Sequence, residues 1–127
     1  MKLGFVSAIL PELSLSDVLS FAAHEEFATV EVMCWPVGKA ERKYAGVTHL
    51  NVDELSKGQA QDILSLCQDH GVGISGLGYY PNVLDPNPAV TKAGVDHLKK
   101  VIKAAPKLGL SHVTSFVGRD WTKTVDE

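Results

Sequence analysis

The chain has 127 residues, 45% of them hydrophobic and 21% charged, with 12 Lys and Arg against 15 Asp and Glu and a formal net charge of -3. That composition bounds it to about one globular domain with a core of its own and excludes a disordered or fibrous chain. No basic stripe offers itself to nucleic-acid phosphates, the longest apolar run (residues 5–10) falls far short of the roughly 20 residues of a membrane span, and Cys34 and Cys67 lie in no metal or redox spacing. The expectation is a cytoplasmic protein with neither nucleic acid nor membrane as partner.

Residues 2–6 form a short apolar run expected as a buried first strand. Ser14 then precedes Leu15, Val18, Leu19 and Ala22 at i, i+3, i+4 and i+7, with Asp17 in a weak capping-box position, which predicts a helix ending near Glu26. Residues 29–33 alternate β-branched residues with Glu31 and predict a second strand. Ser56 and Gln59 cap a second helix whose stripe is Ala60, Ile63, Leu64 and Cys67, and His70-Gly71 stops it. A Gly-rich third strand is expected over residues 72–78. Asn87 and Pro88 read as N-cap and first residue of a third helix, with Leu98, Val101, Ile102 and Ala105 facing inward. Pro106 ends or kinks that helix, since an interior proline costs about 3 kcal/mol. A fourth strand is expected over residues 111–117, and Thr124 to Glu127 has the capping-box pattern of another helix start.

Alternating strands and helices with apolar strands predict an α/β fold with a parallel sheet. Two architectures compete: a doubly wound flavodoxin-like domain, complete at about this length, and the first half of a (β/α)₈ barrel of roughly 250 residues. The strand ends argue against the first. A flavin phosphate loop needs Gly, Ser and Thr donors after the first strand, where Ser7-Ala-Ile-Leu-Pro11 has one hydroxyl and a proline.

Ligands of either architecture meet the carboxyl ends of the strands, where Trp35, Tyr79, Tyr80, Phe116 and Trp121 supply rings and Arg119 and Asp120 supply charge. They form either a ligand wall or a packed cluster beneath a lid. The long connection at 34–55 carries Trp35, Lys39, Arg42, Lys43, Tyr44 and His49, and reads as a lid bringing a cation or imidazole to a substrate, or as a solvated excursion. Glu31, a carboxylate in an apolar strand, needs a partner: a substrate, a lid residue or a lysine. His24 and His97 fall on helices, His70 at a helix end and His112 away from the ligand end, which leaves His49 as the functional candidate. Cys34 lacks the basic neighbour a nucleophile needs. Asp120, His49 and Glu31 have no spacing that forces them to converge, so no metal site is expected in this chain alone.

Glu-Val-Met-Cys-Trp-Pro at 31–36, Ala-Gly-Val-Thr-His-Leu-Asn-Val at 45–52, Gly-Leu-Gly-Tyr-Tyr-Pro-Asn at 76–82 and Phe-Val-Gly-Arg-Asp at 116–120 stand at the ligand ends in this order. Together they resemble the sugar phosphate isomerase/epimerase family, the xylose isomerase-like TIM barrels. The resemblance spans residues 1–127 and implies one domain, the N-terminal half barrel with the first four strands of parallel (β/α) units. It also implies an enzyme that moves a proton between adjacent carbons of a ketose or polyol through an enediolate, assisted by a divalent metal (manganese, magnesium or zinc). The family's metal ligands and acid/base pair come from strands five to eight, so no catalytic or metal-binding residue carries over. What does carry over is a substrate wall of Trp35, His49, Tyr79, Phe116 and Arg119, with Glu31 and Asp120 in support. The implied partners are a small sugar or polyol and either a second copy or a C-terminal half barrel.

Overall fold

A computed structural model of the chain describes residues 1–38, 45–124 and 126. Four parallel strands, β1 (Gly4–Val6), β2 (Thr29–Met33), β3 (Gly73–Gly78) and β4 (Val113–Thr114), form one sheet in the order β1-β2-β3-β4. Helices α1 (Leu15–His24), α2 (Lys57–His70) and α3 (Pro88–Ala104) fill the crossovers. Val18, Leu19 and Ala22 of α1, Ala60 and Cys67 of α2, and Val101 and Ala104 of α3 meet Val30, Val32 and Leu77 of the sheet in a single core. A doubly wound sheet reverses its strand order and carries helices on both faces. Sequential order with one helical face is instead the half of a (β/α) barrel, which removes the flavodoxin-like alternative.

The helix starts follow the sequence because their caps are local. The Ser14 hydroxyl accepts the Asp17 N–H, Ser56 and Gln59 make a full reciprocal box, and Asn87 accepts the Ala89 N–H with Pro88 as the first helical residue. Gly71 ends α2 in the left-handed conformation, at φ 67°. At Pro106 the α-helix gives way to a 3₁₀ turn, Ala105–Leu108, as the missing amide requires.

Four expectations need correction. The first strand is three residues long and largely exposed, because among the described residues one edge has no neighbouring strand. The fourth shrinks to two residues, paired among the described residues on one side only. Leu64 and Ile102, assigned inward, are 37% and 52% exposed; Leu66 packs toward the core on α2, and His97 and Ala104 are buried on α3. The helix start at Thr124 involves positions 125 and 127, which lie outside the described residues.

The fourth correction concerns the connection after β2. Its described part is neither a free lid nor a solvated excursion. Cys34 bridges Thr48 in antiparallel fashion, the N–H groups of His49 and Leu50 both reach the Met33 carbonyl, and Val47, Leu50, Val52 and Leu55 are buried. Residues 45–55 are therefore docked structure. Lys39, Arg42, Lys43 and Tyr44 lie outside the described residues.

One irregularity decides which side chains face the ligand end. β2 pairs with β3 as Val30 with Ile74 and then Glu31 with Gly76, so Ser75 is an extra residue in β3. A bulge of this kind reverses the side-chain parity downstream. Ile74, Leu77 and Tyr79 consequently share the helix-side core, while Tyr80 joins Met33, Ala8 and Val47 on the inner face. Among the described residues no helix is long and apolar enough to cross a membrane.

Candidate functional site

The inner face carries Glu31 at the middle of β2. Its Oε1 accepts the Tyr80 hydroxyl and its Oε2 accepts the Thr114 hydroxyl at 3.0 Å, so one carboxylate joins the ends of β2, β3 and β4. The Tyr80 ring lies 4.7 Å from that of Phe116, tilted by 48°. Gly78 makes the arrangement possible: a Cβ there would stand 2.6 Å from Glu31 Oε1 and 2.1 Å from Met33 Cε. Burial, then the hydrogen bond and negative charge of Glu31, push the Tyr80 hydroxyl up to about 12, against an opposing contribution from Thr114. Phe116 is 62% exposed, leaving its ring available as a surface.

A second assembly ties β1 to β2. The fully buried Ser7 hydroxyl oxygen accepts the Met33 N–H at 2.9 Å and lies 2.8 Å from His49 Nδ1, while His49 Nε2 is 3.1 Å from the Leu10 carbonyl. A carbonyl only accepts, so Nε2 carries the proton, Nδ1 accepts from Ser7, and the neutral imidazole satisfies every group. Burial correspondingly lowers the His49 pKa, opposed by the Leu10 and Leu13 carbonyls. His49 is thus brought to the β1 end, where it fastens residues 45–52 to the barrel.

Tyr79 joins the helix-side core, and Trp35 packs against both that core and the inner-face cluster. Their rings pack edge to face with centroids 5.0 Å apart, and Tyr79, 4% exposed, also packs on His97 at 4.7 Å. His97 donates from Nε2 to the Cys34 carbonyl at 2.7 Å and so fixes α3 to the end of β2. By sequence His97 is only a helix residue without a role, and Ser7 only a strand-end hydroxyl. The signal for His97 was its place on the same α3 stripe as Gly94, Val101 and Ala104, all buried. Ser7 gave none beyond its position. The Cys34 thiol, buried and near Glu31, is pushed up to about 12, the state of an inert thiol.

Arg119 is held by its backbone: its N–H donates to Asn82 Oδ1 and its carbonyl accepts from Asn82 Nδ2, both at 2.9 Å, while its side chain is exposed. Asp120 accepts the Thr122 N–H and hydroxyl, and these bonds hold its carboxyl below the usual range. The sequence-derived residues therefore fall into separate groups. Glu31 and Phe116 share the inner face with Tyr80, Tyr79 joins the helix-side core, Trp35 packs against both sides, His49 belongs to the β1 end, and Arg119 and Asp120 form the rim after β4.

Among the described residues no three of His, Cys, Asp and Glu gather as metal ligands. Both oxygens of Glu31 and both nitrogens of His49 are already engaged, and Asp120 is turned into its own loop. These residues do not fit a divalent metal.

A four-stranded half barrel with aromatic rings and a carboxylate at its ligand ends defines the class of protein. A family model described as the xylose isomerase-like TIM barrel matches residues 19–127, and the chain belongs to that family. Among solved structures, it is similar to a D-psicose 3-epimerase crystallised in the presence of D-fructose, with a TM-score of 0.62 and 16% identity over 100% of this chain. It is also similar to the D-psicose 3-epimerase of Clostridium cellulolyticum H10 with D-tagatose, with a TM-score of 0.62 and 18% identity over 99% of this chain. The chain spans 41% and 42% of the length of those two proteins. No curated protein matches in sequence.

Proposed function

We propose that this chain is the ligand-wall half of a sugar isomerase or epimerase that moves a proton on a ketose or polyol, and that the metal ligands and acid/base pair belong to the other half of the barrel. The observation that carries this reading is the Glu31 carboxylate holding Tyr80 and Thr114 beside the open Phe116 ring, at the strand ends where barrels of this family bind. A sugar presents an apolar ring face to Phe116 and Tyr80 and hydroxyls to the polar rim, where Arg119 stands after β4. His49 and Asp120 act by fixing the backbone on either side, and Trp35 and Tyr79 buttress the wall from behind. The free, buried Cys34 and Cys67 suit a reducing cytoplasm. Residues 1–127 act as one domain that the complementary half barrel covers.

Calorimetric titration with D-fructose tests this reading. Saturable heat that is lost in Phe116→Ala is expected, together with no turnover of the ketose by this chain when manganese or magnesium is added. Heat unaffected by Phe116→Ala, or ketose turnover by the purified chain, overturns it.

The exposure of Met1, Leu3, Val6 and Ile9 at one sheet edge and of Phe116, Val117 and Trp121 at the other favours a second reading. In it the half barrel is a non-catalytic sugar-binding module that dimerises through those edges. Sedimentation at twice 13.7 kDa supports this version, and a stable monomer counts against it.

A further inference from the structure

Five lysines and one aspartate fall within residues 88–108, a surplus of positive charge in a chain whose net charge is -3. Asp96 is taken by Lys92, one turn before it. The other lysines, Lys99, Lys100, Lys103 and Lys107, are exposed, and the last three line a cavity of about 260 Å³ together with Val52, Asp53 and Ala104. Val52 and Ala104 belong to the helix-side core, so the cavity opens on the outer surface, away from the inner face and its rings.

Two of the three ammonium groups around it are held in place. Lys100 Nζ donates to Asp53 Oδ1 at 2.6 Å, and Lys107 Nζ donates to the Leu55 carbonyl at 2.7 Å. Both bonds run from α3 and its 3₁₀ turn to the segment before α2, and so frame the recess from two sides. Lys103 stands between them and makes no hydrogen bond or ion pair among the described residues. It lies three residues from Lys100 and four from both Lys99 and Lys107, spacings at which like charges on a helix repel. The negative end of the helix dipole favours a cation in the last turn, and Lys103 supplies it. That preference does not explain why two further lysines border the same recess, where Asp53 is the one carboxylate among the lining residues.

We propose that this recess binds a phosphate group, free or as the monoester of a small molecule, with Lys103 as its central contact and Lys100 and Lys107 flanking it. Asp53 balances one of the three ammonium charges, and a phosphate dianion matches the two that remain while accepting from several ammonium groups at once. A carboxylate carries half that charge. One recess holds one phosphate and does not track the repeating backbone of a nucleic acid.

Titration with inorganic phosphate at pH 7.5, followed by backbone amide chemical shifts at constant ionic strength, tests the site. Saturable shifts are expected at Val52, Asp53, Lys103, Ala104 and Lys107, and glycerol phosphate should reproduce them. Lys103→Gln raises the midpoint about threefold, the effect of losing one exposed ion pair. The same variant melts no lower than the parent chain, because it relieves like-charge repulsion and breaks no bond of the fold. Lys92→Gln, outside the cavity, leaves the midpoint unchanged. Shifts that do not saturate, that sodium chloride reproduces, or that Lys103→Gln leaves as they were overturn the proposal. A lower melting temperature for Lys103→Gln with an unchanged midpoint makes this lysine structural and overturns it too. Co-sedimentation with phosphatidate vesicles and no response to soluble phosphate assigns the lysines to a lipid surface, which is likewise contrary. D-fructose enters none of these measurements, so their outcome is independent of the ketose reading.

Discussion

His49 reaches its position through hydrogen bonds that only its neutral form completes, which makes it a source of pH-dependent stability. The unfolded chain keeps a pKa near 6.5 and the fold lowers it, so between those values the unfolded state binds more protons. The stability contributed is present above pH 6.5 and is lost as the pH falls from 6.5 toward the folded value. Thermal melts from pH 8 to 5 are expected to show falling stability below 6.5, with a shallower fall in His49→Asn; equal slopes in the two proteins would show that His49 has no part in it. Ser7→Ala leaves the Met33 N–H and His49 Nδ1 without their partner, and chemical denaturation should register a loss of about 1–3 kcal/mol. Cys34, with its thiol pushed up to about 12, should react with a disulfide reagent at pH 8 only after the chain is denatured.

At the scale of elements, the helices were legible because each of their boundaries is set by a few adjacent residues: Ser56 with Gln59, His70 with Gly71, Asn87 with Pro88. β2 was legible through its alternation. β1 and β4 were over-extended, since an apolar run does not reveal whether a neighbouring strand exists to pair with it. The ligand wall was only partly legible for a related reason. Unbroken alternation from Ile74 puts Tyr79 on the inner face, and the bulge at Ser75, invisible in a Ser-Gly pair, puts Tyr80 there instead. Gly78 is the element-level test of this geometry. A methyl group at position 78 collides with Met33 and Glu31, so Gly78→Ala should cost about 1–3 kcal/mol in chemical denaturation, as overpacking does, and disturb the Tyr80 contact. An unchanged melting curve would mean that the ends of the Met33 and Glu31 side chains move aside at little cost.

For the whole molecule, sequential strand order places three helices on one face and leaves the other with its rings, its carboxylate and its unpaired edges. The same asymmetry that incompletely buries Val6 and Phe116 gives a ligand or a complementary half barrel something to cover. The helix side holds the chain together. The central claim is that sugar meets the inner face at the ends of β2, β3 and β4. Amide chemical-shift mapping during titration with D-fructose tests it most directly. Saturable shifts concentrated at Glu31, Gly78, Tyr80, Thr114 and Phe116 are predicted; shifts that fail to saturate, or that leave these five residues unmoved, would contradict it.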